Sequence, residues 1–356
     1  MIDSYYRIRE LHQLGVGIHL HCFEYGRART RELENLCKTV SYYKRKKGLL
    51  SHLSFRPYTV YSRRSKQLLS DLLKDDHPVL FDGLHSTFYI NDPALRDRGK
   101  IVRLHNIEHR YYATLSKYES NPFKKIFYRI EALRLKRYQE VIGLADLALT
   151  ISGNDHEYFS KRFTNVKYLA PFHPFKEITS MPGKGDYLIY HGDLSVKENA
   201  AAVRYLAGNI FSKVAYRLVV AGKDPGKKVR AVVSVNKNIE LIANPSGEQM
   251  KDLIENAQVN ILPSFGANGF KIKILFALYS GRHCIVNKIA GGDELINRLC
   301  NISGSDEDMI SMIGELMQEP FTGKVAAERK ELLQAGFDTW KNAERLVELI
   351  SSIPAP

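Results

Sequence analysis

The sequence predicts an α/β protein with two Rossmann-like, doubly wound domains that face a cleft. Short, buried apolar strands alternate with amphipathic helices, which implies mostly parallel sheets covered by helices on both faces. The alternation begins anew after a segment rich in proline and glycine, and 356 residues suffice for two domains of the usual ~100–200 residues. Because ligands of such sheets bind at the carboxyl ends of the strands, we expect the active site between the domains.

The first domain is expected over residues 1–170. Its predicted elements are a helix near 4–14, a strand at 17–22, helices near 30–37 and 61–74, strands at 78–81 and 101–104, helices over 107–118 and 122–144, a strand at 147–151, a helix after 152 and a strand at 166–169. A doubly wound domain usually opens with a central strand, whereas this chain opens with a helix. Two interpretations stay open: the fold begins with a helix, or the first domain lacks its first strand because the true start lies upstream. The second is favoured.

The second domain is expected over residues 186–336, after a linker at 171–185 that contains three prolines and two glycines. Its predicted elements are strands at 187–190, 217–220, 239–242, 259–262 and 283–286, helices at 196–206, 247–256 and 269–279, and a helical tail from about 306 to 350 that breaks near Pro320 and Gly336. We expect the C-terminal helix within 337–356 to pack back on the first domain.

Positive charge is concentrated in the first half of the chain. Residues 1–170 hold 30 basic and 18 acidic residues, net +12, out of +13 for the whole chain. In the predicted helix over 122–144, basic and apolar side chains partly separate onto different faces. This half therefore suits an anionic membrane surface or a polyanion, although solvated helix faces would give the same charge. No recognition helix, aromatic RNA-binding motif or zinc finger is recognisable, so nucleic acid is not an expected partner.

The cysteines and the apolar stretches predict the compartment. The 4 cysteines lack the spacing of a zinc site or a disulfide framework, which favours a reducing environment. The longest apolar stretch, at 141–151, is shorter than the ~20 residues of a membrane span, and no signal peptide is recognisable. We expect a cytoplasmic protein that is peripheral at the inner face of the membrane.

The segment 260–281 is the most informative for chemistry. A buried strand ends in a glycine-containing loop that opens a helix, and the free N–H groups of a helix start attract anions. Lys271 and Lys273 fall in the predicted first turn, where a cation opposes the helix dipole unless an anion is bound. A bound phosphate and a pair of solvated lysines both remain open.

Several segments, in order along the chain, resemble the GT-B glycosyltransferases of the family 4 type. The segments are 81–85 (FDGLH), 103–109 (RLHNIEH), 150–152 (TIS), 191–199 (HGDLSVKEN), 219–224 (VVAGKD), 262–264 (LPS), 268–275 (NGFKIKIL) and 280–281 (SG). The resemblance covers about nine tenths of the chain, and no single motif is decisive. It implies a retaining, metal-independent enzyme that moves a hexose from a nucleotide diphosphate sugar to a glycan, lipid-linked or protein-linked acceptor. No cofactor besides that donor substrate is implied.

The resemblance also implies roles for particular residues. Lys273 would contact the diphosphate, and His85 would support the sugar near its anomeric carbon; these two are the expected catalytic residues. The expected substrate-binding residues are Gly192, Lys223, Asn244, Asn268, Gly269 and Phe270 for the donor, and His105, Asn106 and Glu108 for the acceptor.

The sequence departs from the family pattern at the donor loop. Asn268 and Phe276 stand where the family usually has two glutamates, of which the second grips the ribose, and Asp193 stands where an arginine is common. Loss of a charge-assisted hydrogen bond costs ~1.5–3 kcal/mol, or about one to two orders of magnitude in affinity. The departures favour one alternative, a catalytically silent GT-B-like protein that binds a sugar or nucleotide.

Overall fold

The computed structural model describes residues 2–26, 29–48, 51–52, 54–266, 269–290 and 293–353. It divides into two compact units. Unit 1 comprises 1–174, 268–270 and 337–356, and unit 2 comprises 175–267 and 271–336. The segment expected as a linker, 171–185, thus contributes residues to both units, and the C-terminal residues belong to unit 1.

Unit 1 contains a parallel sheet of four strands in the order β3-β4-β5-β6, which are Val79–Asp82, Lys100–Leu104, Leu147–Thr150 and Val166–Tyr168. The strand expected at 17–22 lies instead at His19–Glu24 (β1) and pairs in parallel with Thr39–Lys44 (β2) as a separate sheet. The sequence analysis missed β2 because its polar residues, Thr39, Ser41 and Lys44, interrupt the apolar pattern.

The helices of unit 1 lie close to the predicted segments. They are Ile2–Gln13 (α1), Arg31–Leu36 (α2), Tyr58–Tyr61 (α3), Lys66–Leu72 (α4), Glu108–Tyr118 (α5), Pro122–Tyr138 (α6), Gly153–Ser160 (α7) and, from the C-terminal region, Thr339–Ser351. The helix expected over 61–74 is two short helices, and the one expected over 122–144 ends at Tyr138 and continues as a 3-10 helix, Gln139–Leu144. Pro122 occupies the first turn of α6, where its missing N–H is tolerated.

Both faces of the four-stranded sheet are buried. Alternate residues of β4 enter different cores, Val102 and Leu104 one and Ile101 the other. The core around Ile101 also contains Leu11 of α1 and Leu346 of the C-terminal helix, so the last helix of the chain packs against the first. A sheet covered in this way is accessible to a ligand at the ends of its strands.

Unit 2 contains a parallel sheet of six strands in the order β12-β11-β10-β7-β8-β9. In chain order they are Leu188–Asp193 (β7), Leu218–Lys223 (β8), Ile239–Ala243 (β9), Val259–Ile261 (β10), His283–Asn287 (β11) and Asn301–Ser303 (β12). The chain builds outward from β7 through β8 to β9, and then through β10 on its other side. The direction of winding therefore reverses between β7 and β10, and a doubly wound sheet binds its ligand at such a point.

The helices of unit 2 are Lys197–Tyr205 (α8), Lys227–Ser234 (α9), Gly247–Asn256 (α10), Ile272–Ser280 (α11), Glu294–Leu299 (α12), Asp306–Leu316 (α13) and Gly323–Gly336 (α14); the C-terminal helix of unit 1 is α15. α9, α12 and β12 were not predicted. The helix expected from 269 begins three residues later, at Ile272.

Candidate functional site

The carboxyl end of β7 brings backbone close to the reversal point in unit 2. Gly192 is the penultimate residue of β7 and has a φ of 150°. On the neighbouring strand, a Cβ on Gly222 would lie 1.9 Å from the carbonyl oxygen of Gly192. This edge therefore requires glycine at 222, which was not predicted. The donor-binding role expected of Gly192 stays a prediction.

Lys273 lies in the first turn of α11, and its amine is held by neutral oxygens. Its Nζ donates hydrogen bonds to Tyr190 Oη at 3.0 Å and to Asn199 Oδ1 at 3.1 Å, and lies 4.6 Å from the centre of the Tyr190 ring. Among the described residues, no carboxylate forms an ion pair with it. Burial, and to a smaller extent the neighbouring Lys271 ammonium, lowers the pKa of Lys273 to about 8. The amine is thus a positioned cation without a charged partner.

Asn199 and Tyr190 position this amine, and the sequence analysis assigned neither a role. Asn199, on α8, accepts a hydrogen bond from Tyr190 Oη at 3.1 Å and donates from Nδ2 to the Asp193 carbonyl at 2.8 Å. Its side chain therefore ties α8 to the end of β7 while its oxygen faces Lys273. The only available signal was its place at the end of the HGDLSVKEN segment.

Lys271 has a different environment from Lys273. Its Nζ lies 3.3 Å from Glu198 Oε1, which also accepts from Ser264 Oγ and from the N–H of Gly266 at 3.2 Å. Burial alone would raise the pKa of Glu198, but Lys271 and these donors together lower it. Glu198 thus holds the loop after β10 and compensates the charge of Lys271.

Aromatic rings occupy the position of the expected ribose-binding glutamate. The ring of Phe276 stacks on Phe175 with centroids 5.0 Å apart and meets His191 edge-on at 5.8 Å. Burial and the nearby Lys273 lower the pKa of His191 to about 3, so this imidazole is neutral at pH 7. Phe276 therefore packs against an aromatic ring and a neutral imidazole.

Two other residues expected to bind the donor, Lys223 and Asn244, lie at the carboxyl ends of β8 and β9. Lys223 is 72% exposed at the end of β8, with Nζ 4.0 Å from Asp224 Oδ2. Asn244 accepts a hydrogen bond from the N–H of Asp224 at 2.8 Å, and both residues have a positive φ, so its side chain holds a turn. Asn268 lies outside the described residues.

Gly269 and Phe270, expected near the diphosphate, are part of unit 1. A Cβ on Gly269 would lie 2.3 Å from Asn106 Oδ1 and 2.5 Å from the His105 carbonyl oxygen. The Phe270 ring lies 5.3 Å from that of Phe337. In this structure the two residues therefore have packing roles, and Gly269 is needed because no side chain fits against Asn106.

In unit 1, a charged network lies at the carboxyl ends of β3 and β4. His105 Nε2 lies 2.7 Å from Asp82 Oδ1, which also pairs with Arg7 Nη2 at 3.0 Å. Arg7 and Arg103 in turn pair with Asp3 at 3.1 and 2.8 Å. Burial opposes ionisation of Asp3, yet Arg103 and Arg7 lower its pKa to about 2. The network anchors α1 to the sheet and orients the His105 ring.

His85, Asn106 and Glu108 flank this network. Gly83 has a φ of 88°, and a Cβ there would lie 2.5 Å from Cε1 of His85, so only glycine lets this ring fold back over the chain. Burial, followed by the charge of Arg63, lowers the pKa of His85 to about 3, and burial raises that of Glu108. The structure therefore brings His85, His105, Asn106 and Glu108 to one sheet edge, with His85 neutral at pH 7.

Neither a metal cluster nor a membrane-spanning helix is present in the described residues. No group of three or more histidine, cysteine, aspartate or glutamate side chains is placed to hold a metal ion. In the same part of the chain, no helix is both long and apolar enough to cross a membrane.

Comparisons with known proteins agree with this architecture. Residues 185–319 match the family described as Glycosyl transferases group 1. An uncharacterized 44.6 kDa protein in the cps region of Klebsiella pneumoniae is 26% identical over 271 residues, covering 72% of this chain and 69% of that protein.

Solved structures of glycosyltransferases share the fold. HepE from Anabaena, solved with UDP and glucose, superposes with a TM-score of 0.67 at 12% identity over 98% of this chain and 95% of HepE. TarM from S. aureus, solved in one complex with UDP, gives a TM-score of 0.59 at 15% identity over 83% of this chain, which spans 58% of TarM. The chain thus has the GT-B fold, and its residues 185–319 form the group 1 glycosyl transferase domain.

Proposed function

We propose that the protein is a retaining hexosyltransferase that moves a sugar from a nucleotide diphosphate sugar to a glycan, lipid-linked or protein-linked acceptor, in the manner of the family 4 enzymes. The observation that carries the proposal is the Lys273 amine. It lies at the start of a helix beside the reversal point of the sheet, and its hydrogen-bond partners among the described residues are the neutral oxygens of Tyr190 and Asn199. A cation in the first turn of a helix is unfavourable by itself and becomes favourable when an anion binds there.

The same arrangement supports the chemical step. When the glycosidic phosphate bond breaks, negative charge grows on the leaving diphosphate, and a fixed cation stabilises this charge most strongly where little water is present. Asn199 and Tyr190 hold the amine in place before the substrate arrives, so little reorganisation is required. In this proposal the amine, rather than a metal ion, takes up the charge.

The edge of unit 1 supplies groups suited to sugar hydroxyls. Neutral His85 can donate or accept a hydrogen bond, and Asn106 can do both. The raised pKa of Glu108 keeps its carboxyl group closer to neutrality than an exposed one. We assign His85 to the transferred sugar and His105, Asn106 and Glu108 to the acceptor.

The protein is proposed to act at the cytoplasmic face of a membrane as a peripheral protein. The support is the charge of its first half, since residues 1–170 carry +12 of the total +13. The cytoplasmic leaflet is anionic and attracts such a surface.

A donor panel tests the proposal. UDP- and GDP-sugars are added to the full chain with EDTA present, and thermal stabilisation, retained ligand mass and sugar transfer are measured. UDP-sugars come first because HepE and TarM were solved with UDP. We expect a donor at a hundredfold its Kd to stabilise the protein by about 2.7 kcal/mol, and Lys273→Met to abolish the shift.

The presence of Phe276 in place of a glutamate makes binding without transfer the main alternative to test. Aromatic packing replaces the expected ribose-binding carboxylate. If the protein is catalytically silent, a sugar or nucleotide should bind but no sugar should be transferred. Stabilisation by donors without transfer to any acceptor in cell extracts would favour that alternative. A lack of response to every donor would refute nucleotide-sugar binding altogether.

A further inference from the structure

Helix α6 of unit 1 carries a row of large apolar side chains on its outer surface. Phe123, Ile126, Ile130 and Leu133 are 82%, 55%, 44% and 66% exposed. Their spacing of three or four residues places them on one face of the helix. An ordinary surface helix turns such a face toward the core, whereas here it faces outward.

The opposite face of α6 packs into the core of unit 1. Leu135 is buried in the core beside β4, and Glu131 is fully buried. The Glu131 carboxylate accepts a hydrogen bond from the N–H of Thr59 at 2.9 Å, which fixes the rotation of the helix. The outward apolar row is therefore additional to what folding requires.

All exposed charge on α6 is positive. The only acidic residue of the helix is Glu131, which is buried, and its basic residues besides Arg134 are Lys124, Lys125, Arg129, Lys136 and Arg137. A helix with an apolar row bordered by lysine and arginine has the composition of helices that lie in the plane of a membrane interface.

A neighbouring segment extends the same surface. Phe55 is completely exposed, and it lies between His52 and Tyr58, whose rings both lie within 5.9 Å of the Phe127 ring on α6. Arg134 of α6 donates a hydrogen bond to the His52 carbonyl oxygen at 3.0 Å. The chain on both sides of Phe55 is therefore attached to α6.

We infer that the outer face of α6, together with Phe55, inserts into an anionic lipid bilayer and thereby anchors unit 1. We call this surface, formed by Phe55, Phe123, Ile126, Ile130 and Leu133 and the five basic residues, the α6 face. It rests on the peripheral location proposed above but not on sugar transfer.

Charge complementarity selects the lipid over the other occupants. A second copy that packed its α6 face against the first would bring two sets of basic residues together, and like charges repel. A nucleic acid would satisfy the basic residues but would leave five large apolar side chains without a partner. An anionic bilayer satisfies both, since its headgroups attract the basic residues and its acyl boundary accepts the apolar ones.

Co-sedimentation with vesicles tests this inference on the full chain. Vesicles of phosphatidylcholine, with and without phosphatidylserine, are mixed with the wild type and with two variants at low and high salt. One variant, Ile126→Ser/Ile130→Ser/Leu133→Ser, removes apolar contact; the other, Lys124→Glu/Lys125→Glu/Arg129→Glu, reverses charge. The matched control is Lys227→Glu/Lys228→Glu/Lys237→Glu, which changes three exposed lysines of unit 2.

We expect the wild type to bind only vesicles with phosphatidylserine, each α6 variant to lose at least roughly tenfold in partitioning, and the control to lose less than roughly twofold. Wild-type binding unaffected by both α6 variants would overturn the inference. So would a dimer in sizing experiments that both α6 variants dissociate. Donor-induced thermal stabilisation, measured on the same variants without vesicles, should not change, so a failure of sugar-nucleotide binding is seen separately.

A second readout reports insertion itself. The chain has 1 tryptophan, Trp340, on the C-terminal helix. Trp340→Phe combined with Ile126→Trp places a single fluorophore on α6, and its emission should shift to the blue and be quenched by brominated lipid. Emission that is unaffected by bound vesicles would contradict insertion at this face.

Discussion

The two candidate sheet edges differ in whether their charged side chains are paired with opposite charges. In unit 1, Asp82, Arg7, Asp3 and Arg103 form a chain of ion pairs, and the His105 ring lies 2.7 Å from Asp82. In unit 2, the Lys273 ammonium is held, among the described residues, by the neutral oxygens of Tyr190 and Asn199. The carboxylate that could have paired with it, Glu198, is engaged by Lys271, Ser264 and Gly266.

This difference indicates which kind of ligand each edge accepts. A compensated network gains little from a further charge but offers fixed hydrogen-bonding groups, which suits the hydroxyls of a sugar acceptor. An uncompensated, partly buried cation carries a desolvation cost that an incoming anion relieves. The comparison therefore assigns the diphosphate to unit 2 and predicts that charge changes at the two edges have separable effects.

Removal of the Lys273 charge should have the largest effect. Lys273→Met keeps most of the side-chain volume but leaves no cation for the diphosphate, so kcat/KM for the donor should fall by about 10²–10³-fold. Steady-state kinetics measures the loss, and calorimetry with the product nucleotide diphosphate separates binding from turnover. Lys228→Met, at an exposed position of α9, is the control. If kcat/KM for the donor fell equally in both variants, Lys273 would not be the cation that binds the diphosphate.

Asp82→Asn breaks the network at the unit 1 edge. It removes the carboxylate 2.7 Å from His105, whose next carboxylate, Asp3, is 3.9 Å away, and leaves Arg7 paired with Asp3. Because the Asp82 side chain is 35% exposed, we expect a loss of about 1–3 kcal/mol in unfolding free energy, less than for a fully buried pair. The KM for the acceptor should rise about tenfold while donor affinity stays the same. Denaturant unfolding and kinetics with each substrate varied measure the two effects, and a rise in donor Kd would contradict the division of roles.

The contrast between the edges also shows what sequence patterns can reveal. The segment 260–281 predicted a strand, a loop and a helix, and the strand and the helix are present because apolar periodicity is a local signal. The anion-binding role of Lys273 stays a prediction. The partners of Lys273 lie 83 and 74 residues away, at Tyr190 and Asn199, and no local pattern reports such contacts.

The start of the chain shows the same limit. Helix α1 was predicted correctly as a helix, but its Asp3 and Arg7 resemble solvent-exposed charges in the sequence. They are buried because Arg103 and Asp82 meet them from strands that lie 100 and 75 positions further along the chain. Similarly, the sequence showed that basic and apolar residues of α6 separate, but only the position of Glu131 against Thr59 shows that the apolar row faces outward.

The pH dependence of donor binding should be smaller and should follow Lys273. Its pKa is about 8, so the protonated fraction of the free enzyme falls from about nine tenths at pH 7 to about one tenth at pH 9. A sugar nucleotide diphosphate stays fully ionised over this range. Donor affinity should therefore fall by up to about tenfold as the pH rises from 7 to 9, and the dependence should disappear in Lys273→Met. Calorimetric titrations at several pH values, checked against unfolding, measure it; an affinity that rises with pH would contradict the assignment.

Lys271→Met should produce the smallest change, a shift of that pH profile. The Lys271 ammonium lowers the pKa of Lys273, whereas the Glu198 carboxylate raises it. Removing Lys271 takes away the first influence and frees Glu198 from its ion pair, so both consequences raise the pKa of Lys273. The midpoint of donor binding should move to higher pH, with a change in affinity at pH 7 of less than about threefold. If the midpoint stayed in place or moved to lower pH, Lys271 rather than Lys273 would be the cation that the donor contacts, and the contrast between a compensated and an uncompensated lysine would lose its functional meaning.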